Sequence, residues 1–294
     1  MRRRQWLLGL LALGAWAAMA TSALAAPGLK ALIVDGQNGH DWKSTTPVLK
    51  QLLEQTGLFT VDVATSPPKG ADMSGFKPDF AQYNVVVLNY QGDDWPESTR
   101  QAFVEYVANG GGVVVYHFAC AAFPNWPEYN EIIGLGGWGG RNEKWGPYVR
   151  WRDGKIVRDD SPGRGGGHGP MQPFQVVVRE PNHPITQGLP DKFMHVDDEL
   201  YGWLRGPAKN LTVLATAFAP KEKGGADEHE PILFTVEYGK GRVFQNAMGH
   251  TAKELKSVAF IATFQRGAEW AATGKVTQKL PDDFPSADEA KLRP

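Results

Sequence analysis

Three stretches of this sequence place titratable or polar side chains directly after apolar, β-favouring runs. His117 follows Val113, Val114, Val115 and Tyr116. A histidine at such an exit can act as base, acid or metal ligand, since its charge changes near neutral pH. It can equally be a core-edge ring bonded to backbone. A sharp strand-to-helix turn would lift its side chain above the sheet. His250 stands in a similar place after 242–247, and Gly249 before it allows close backbone approach. Asp197, Asp198 and Glu199 form an acidic cluster followed by Tyr201. Paired carboxylates can move protons or hold a metal, and they are also common at solvated helix starts. The catalytic candidates are therefore His117, His250 and Glu199. His40 and Trp42 after the first strand, Asn89 after the third, and Asp198 and Tyr201 are the substrate-binding candidates.

The missing chemistry is equally informative. Position 117 itself carries neither serine nor cysteine, and there is no Gly-x-Ser-x-Gly. The seven histidines contain no His-x3-His and no His-Glu-x-x-His, so a metal site must be assembled from distant segments. His40, His117 and His250 are the candidate ligands for a divalent ion. Gly163 to Gly169 lacks the strand-before, helix-after context of a phosphate loop, and no dinucleotide fingerprint occurs. No nucleotide cofactor is expected. Tryptophans beside Asp and Asn suit the apolar face and polar rim of a sugar ring, although large rings can also simply pin a glycine-rich segment.

These residues need elements to position them. Apolar runs at 30–35, 59–63, 84–89 and 112–117 read as buried strands. Helical patterns at 45–56 and 96–109 separate them. Continuous apolar strands alternating with helices imply an α/β fold, mostly parallel, with helices on both faces. Strands return at 174–178, 211–217, 231–237 and 242–247, the last two as a hairpin around Gly239-Lys240-Gly241. Residues 252–272 read as a closing helix. Between 123 and 173 glycine, proline and tryptophan dominate, which reads as an ordered insertion over the sheet's edge. His183-Pro184 reads as a structural turn.

The chain has 294 residues, a net charge of −1 and one cysteine. It is long enough for a full core without staples, and its charge gives no reason to expect nucleic acid. Cys120 can form neither an intrachain disulfide nor a Cys-rich zinc site, and it reads as buried. Arg2 to Arg4, an apolar run and Ala23-Leu24-Ala25 resemble an export signal at 1–25, of the Sec or twin-arginine type. Its removal takes three arginines and leaves a net charge of −4. A periplasmic or secreted protein with no remaining membrane anchor is expected. One domain should cover 26–280, with a loose tail at 281–294. Nothing here predicts an oligomeric state.

Taken together, Gly110-Gly111-Gly112-Val113-Val114-Val115-Tyr116-His117, His183-Pro184-Ile185-Thr186-Gln187-Gly188-Leu189-Pro190, Asp198-Glu199-Leu200-Tyr201, Tyr238-Gly239-Lys240-Gly241-Arg242-Val243-Phe244 and Gly249-His250 resemble the ThuA-like (trehalose utilisation) family. The resemblance spans about 30–272. It implies a variant of the flavodoxin-like class I glutamine amidotransferase fold. Those amidotransferases carry a nucleophilic cysteine at the turn after the fourth strand. Here that position holds His117, with Cys120 three residues later, which argues against glutamine hydrolysis. The resemblance also implies a small-molecule carbohydrate partner, including oxidised (3-keto) sugars. Three readings follow: a sugar- or glycoside-directed enzyme using His/carboxylate acid–base chemistry, a non-catalytic carbohydrate-binding or accessory protein, and a metal-dependent hydrolase.

Overall fold

The computed structural model describes residues 28–294; the export-signal expectation lies outside them. Among the described residues no helix is long and apolar enough to cross a membrane. Four apolar runs become β1 (Leu29–Asp35), β2 (Phe59–Thr65), β3 (Val85–Leu88) and β4 (Gly112–Tyr116). Between them lie α1 (Trp42–Glu54) and α2 (Glu97–Ala108). The insertion contributes α3 (Pro127–Ile133), β5 (Tyr148–Arg152) and β6 (Lys155–Asp159). Then follow β7 (Gln172–Val178), β8 (Lys192–Asp198), β9 (Leu211–Ala219), β10 (Glu228–Tyr238), β11 (Gly241–Asn246) and α4 (Val258–Thr273).

Nine of these strands make one mixed sheet in the order β2-β1-β3-β4-β11-β10-β9-β7-β8. The first five run parallel and the last four pair antiparallel. β3 and β4 are buried along their whole length, as strands covered on both faces must be. α1 and α4 pack together, as do α2 and α3. The exits of β1, β4 and β11 therefore open at one end of the parallel half, where ligands of open α/β sheets bind.

The structure departs from the sequence reading in four places. First, the sequence pattern does not reveal β8, because Asp197-Asp198-Glu199 also suits a solvated helix start. The strand instead alternates, with Phe193 and His195 facing inward. A bulge opposite Gln172 and Phe174 inserts one extra residue in β8. That brings Asp198 to the same buried side as His195, although residues three apart normally face opposite ways. Second, the closing helix begins at Val258, because 254–256 form a separate 3-10 turn.

Third, the insertion lies over an interior strand and not over the edge. Arg150 of β5 is buried in an ion pair with buried Glu230 of β10, and Arg152 pairs with Glu228. Arg141 is buried too, donating to the carbonyls of Ala121, Ala122 and Gly137 and to the Asn130 side chain. Fourth, the tail is docked. Met194 N–H donates to Ser286 O at 2.8 Å and Val258 N–H to Lys291 O at 2.9 Å, and Phe284 packs on Phe193. β8 is the outermost strand, and an edge covered by chain leaves fewer open backbone donors. Phe284 and buried Pro285 are too short an apolar stretch for a sequence pattern to reveal.

His183 forms the expected turn: its Nδ1 accepts from Ile185 N–H at 3.2 Å and its ring rests on Trp270. Burial lowers its pKa from 6.5 to about 4. The folded state then binds fewer protons than the unfolded chain between these values, so this contribution to stability is present above pH 6.5 and fades as pH falls towards 4. Denaturant melts across that window should show this slope, reduced in His183→Gln. Arg150→Ala leaves Glu230 buried and unpaired, and should destabilise the fold by about 3–5 kcal/mol, read from the same melts.

Candidate functional site

His117 begins the turn after β4 with φ +42°. That backbone region is uncommon for a residue with a side chain and tends to persist where the surroundings over-determine it. The constraint is visible. Its Nδ1–H donates to Ala247 O at 2.8 Å, and Nε2 lies 2.7 Å from the Tyr201 hydroxyl. The Tyr201 ring stacks on it at 4.3 Å. Because Ala247 O can only accept, Nε2 of the neutral ring carries the lone pair and accepts from Tyr201.

Glu199 is the centre of the cluster. Its Oε2 lies 3.5 Å from His40 Nε2 and 3.5 Å from His117 Nε2. Its Oε1 lies 3.4 Å from His168 Nε2 and 3.5 Å from His250 Nε2. Side-chain exposure rises from 1% for His117 and 11% for Glu199 to 17% for His40, 24% for His250 and 33% for His168. The cluster thus runs from the core to the surface. Burial pushes the Glu199 carboxyl up, but neighbouring His117 and His40 outweigh it and hold it well below the usual range. Burial lowers His40, opposed by Glu199 and reinforced by the charges of His117 and His250.

Asp198 holds this arrangement in place from behind. It is fully buried. His195 Nε2–H donates to its Oδ2 at 2.7 Å, as does Gly249 N–H at 2.6 Å. Its Oδ1 accepts from Glu199 N–H at 2.8 Å and His250 N–H at 3.1 Å. Burial pushes the Asp198 carboxyl up, but its hydrogen bond to His195 helps bring it below the ordinary value. Tyr116 donates to Gly249 O. Gly249 has φ +101°, and a Cβ there would lie 2.8–2.9 Å from Phe260, Leu255 and Tyr116. Only glycine fits this close approach.

The predicted residues therefore divide. His40, His117, Glu199 and His250 converge. Tyr201 is fully buried and supports His117 from beneath. Asp198 is a backbone anchor, and its buried carboxylate is out of a substrate's reach. Asn89 is likewise structural: its Nδ2 donates to Thr45 and Thr46, and its Oδ1 accepts from Asn38. Trp42 is half-buried and lines a neighbouring cleft of about 570 Å³ with Asn38, Lys43, Lys69 and Gln91. That cleft adjoins the cluster through Asn38, Gly39 and His40. Another cleft, lined by Asp79, Tyr83 and Gly110, lies at the opposite strand ends and away from these groups.

The sequence reading missed His168 and His195. His168 comes from the insertion, between Gly165-Gly166-Gly167 and Gly169, and its Nδ1–H donates to Gly169 O at 2.7 Å. A lone histidine among glycines was the available signal, because glycine lets backbone approach a site closely. The remaining tryptophans mostly pin structure: Trp95 and Trp126 pack with Phe103 and Phe123. Trp138 lies nearest the cluster, 4.6 Å from the Tyr201 ring. Cys120 is buried as expected, and burial pushes its thiol up to about 12, so it supplies no thiolate at neutral pH.

Among the described residues, His40, His117 and Glu199 are the group whose donor atoms lie close enough together to share a metal ion. The remaining ring nitrogens beside Glu199 suit proton transfer.

A family model described as trehalose utilisation (ThuA) matches residues 30–271. A solved ThuA-like protein from Parabacteroides merdae is 50% identical, covers 91% of this chain and 98% of its own, and superposes with a TM-score of 0.89. A second, from Bacteroides uniformis, is 24% identical over 86% of this chain and 94% of its own, with a TM-score of 0.57. A cytoplasmic protein from Salmonella typhimurium shares the fold at 16% identity and TM-score 0.50, over 83% of this chain and 99% of its own. No curated protein matches the chain.

Asp198→Ala strands four donors, three of them buried, and should cost about 3–5 kcal/mol in denaturant melts. Asp198→Asn keeps one acceptor and should cost less.

Proposed function

The chain belongs to the ThuA family, and on that premise we propose that it is an enzyme acting on a sugar or glycoside, including oxidised (3-keto) forms, by proton transfer at the Glu199 cluster. The carrying observation is one carboxylate faced by four histidine Nε2 atoms at 3.4–3.5 Å. The family description supports the carbohydrate class. Trp42, beside Asn38 and Gln91 in the adjoining cleft, offers an aromatic face with hydrogen-bonding neighbours, as a sugar ring requires. The order β2-β1-β3-β4-β11 supports the flavodoxin-like reading of the parallel half and the use of its strand exits as the site.

The residues divide the work. His250 and His168 have the most exposed rings of the cluster and exchange protons with substrate through their contact with Glu199 Oε1. His117, bonded at both ring nitrogens, fixes the inner wall. A ketone next to a C–H bond acidifies it, so a modest base can remove that proton and drive isomerisation or elimination. Glutamine hydrolysis is disfavoured, because the turn after β4 carries His117 and the nearby thiol is buried and protonated. If residues 1–25 are an export signal, the protein meets its sugar outside the cytoplasm.

Purified protein should turn over some members of a panel of 3-keto glycosides and parent glycosides. His250→Ala and Glu199→Gln should each lower kcat by about 100-fold or more. Sugar binding in calorimetry without turnover across the panel would instead favour the accessory-protein reading. The absence of both binding and turnover across the panel would overturn the carbohydrate assignment.

A further inference from the structure

We propose that His40 Nε2, His117 Nε2 and Glu199 Oε2 form a binding site for one divalent first-row transition-metal ion. One donor atom from each of these three residues lies within 4.8 Å of the other two, and Glu199 Oε2 is 3.5 Å from each Nε2. Bonds of 2.0–2.2 Å hold neighbouring ligand atoms of a tetrahedral or octahedral shell roughly 3.0–3.5 Å apart. An ion between them needs little closure.

Two further observations point the same way. Glu199 Oε2 is buried without a hydrogen-bond partner, and a buried carboxylate oxygen left unpaired is costly. His117 donates Nδ1–H to Ala247 O, the outer-shell bond that fixes a metal-binding imidazole with its Nε2 lone pair aimed at the ion. The Tyr201 hydroxyl now occupies that lone pair at 2.7 Å, so metal uptake exchanges this hydrogen bond for coordination. Two imidazoles and one carboxylate favour zinc, iron(II), manganese or cobalt over magnesium or calcium, which prefer all-oxygen shells.

Three protein ligands leave coordination positions open for water or substrate. His168 and His250 approach the other carboxylate oxygen, Oε1, and so remain outside the ligand set. The site would thus place an electrophile for a sugar carbonyl or hydroxyl beside groups able to move protons. This deepens the carbohydrate reading, but the metal test needs no sugar.

The test uses full-length protein purified without a histidine tag and stripped with a chelator. Calorimetric titration with Zn²⁺ and with Mn²⁺ should show one equivalent bound for at least one ion. Glu199→Gln and His40→Ala should each weaken it by more than about 100-fold, beyond the usual loss from an outer-shell change. His229→Ala, on β10, should leave it unchanged, and Tyr201→Phe should bind at least as tightly. Circular dichroism checks that each variant is folded. Should a ligand variant fail to fold, Co²⁺ absorption of the wild-type protein should show a nitrogen/oxygen-ligated ion. Binding that survives both ligand substitutions, or no binding and no such spectrum from folded wild-type protein, overturns the proposal. Metal binding without sugar turnover leaves this site standing and defeats only the carbohydrate reading.

Discussion

One buried carboxylate, Asp198, ties the end of β8 to the loop after β11. It accepts from His195, Glu199, Gly249 and His250, so a single side chain positions two members of the cluster by their backbones. Such a group can be buried only when its acceptor capacity is used. The converse also holds: once it is satisfied, neither β8 nor the 247–250 loop can shift without exposing an unpaired charge. Glu199 therefore meets His250 through a fixed frame rather than through flexible side chains alone.

The mixed sheet explains why this frame exists. Its parallel half delivers His40 and His117 at strand exits, as the topology of α/β sheets favours. Its antiparallel half brings β8 back along the far edge and ends it at Asp198, with Glu199 the next residue. The insertion, pinned by Arg150–Glu230 and by Arg141, adds His168 from the solvent side. The buried ion pair is a device of position. Its net contribution to stability is small beside the cost of breaking it.

The parallel core was legible because it follows simple rules. Val85 to Leu88 and Val113 to Tyr116 are continuous apolar runs, and Gly110 to Gly112 ends a helix where expected. His117 stands out because a titratable ring directly follows four β-favouring residues at a strand exit. β8 was hidden because its buried side includes a histidine and an aspartate, and a bulge breaks its period. In the sequence Asn89 and Asp198 look like ligand-binding groups, because a sequence shows that a polar residue sits near a strand end but not which neighbours claim its hydrogen bonds. Trp95 and Trp126 were ambiguous for a related reason, since a ring facing a sugar and a ring packed on Phe123 are the same residue in one dimension.

The sequence by itself determined the α/β class, the parallel strands, the family resemblance and the three histidines most able to do chemistry. Periodicity, turn residues and side-chain type are local properties, and they survive without coordinates. Only the tertiary structure decided that His40, His117, His168 and His250 share one carboxylate. It also decided that Glu199 faces them while its neighbour Asp198 turns inward. Those outcomes depend on distances between segments up to 210 residues apart along the chain. One extra residue in β8 sets them, and no local pattern encodes it.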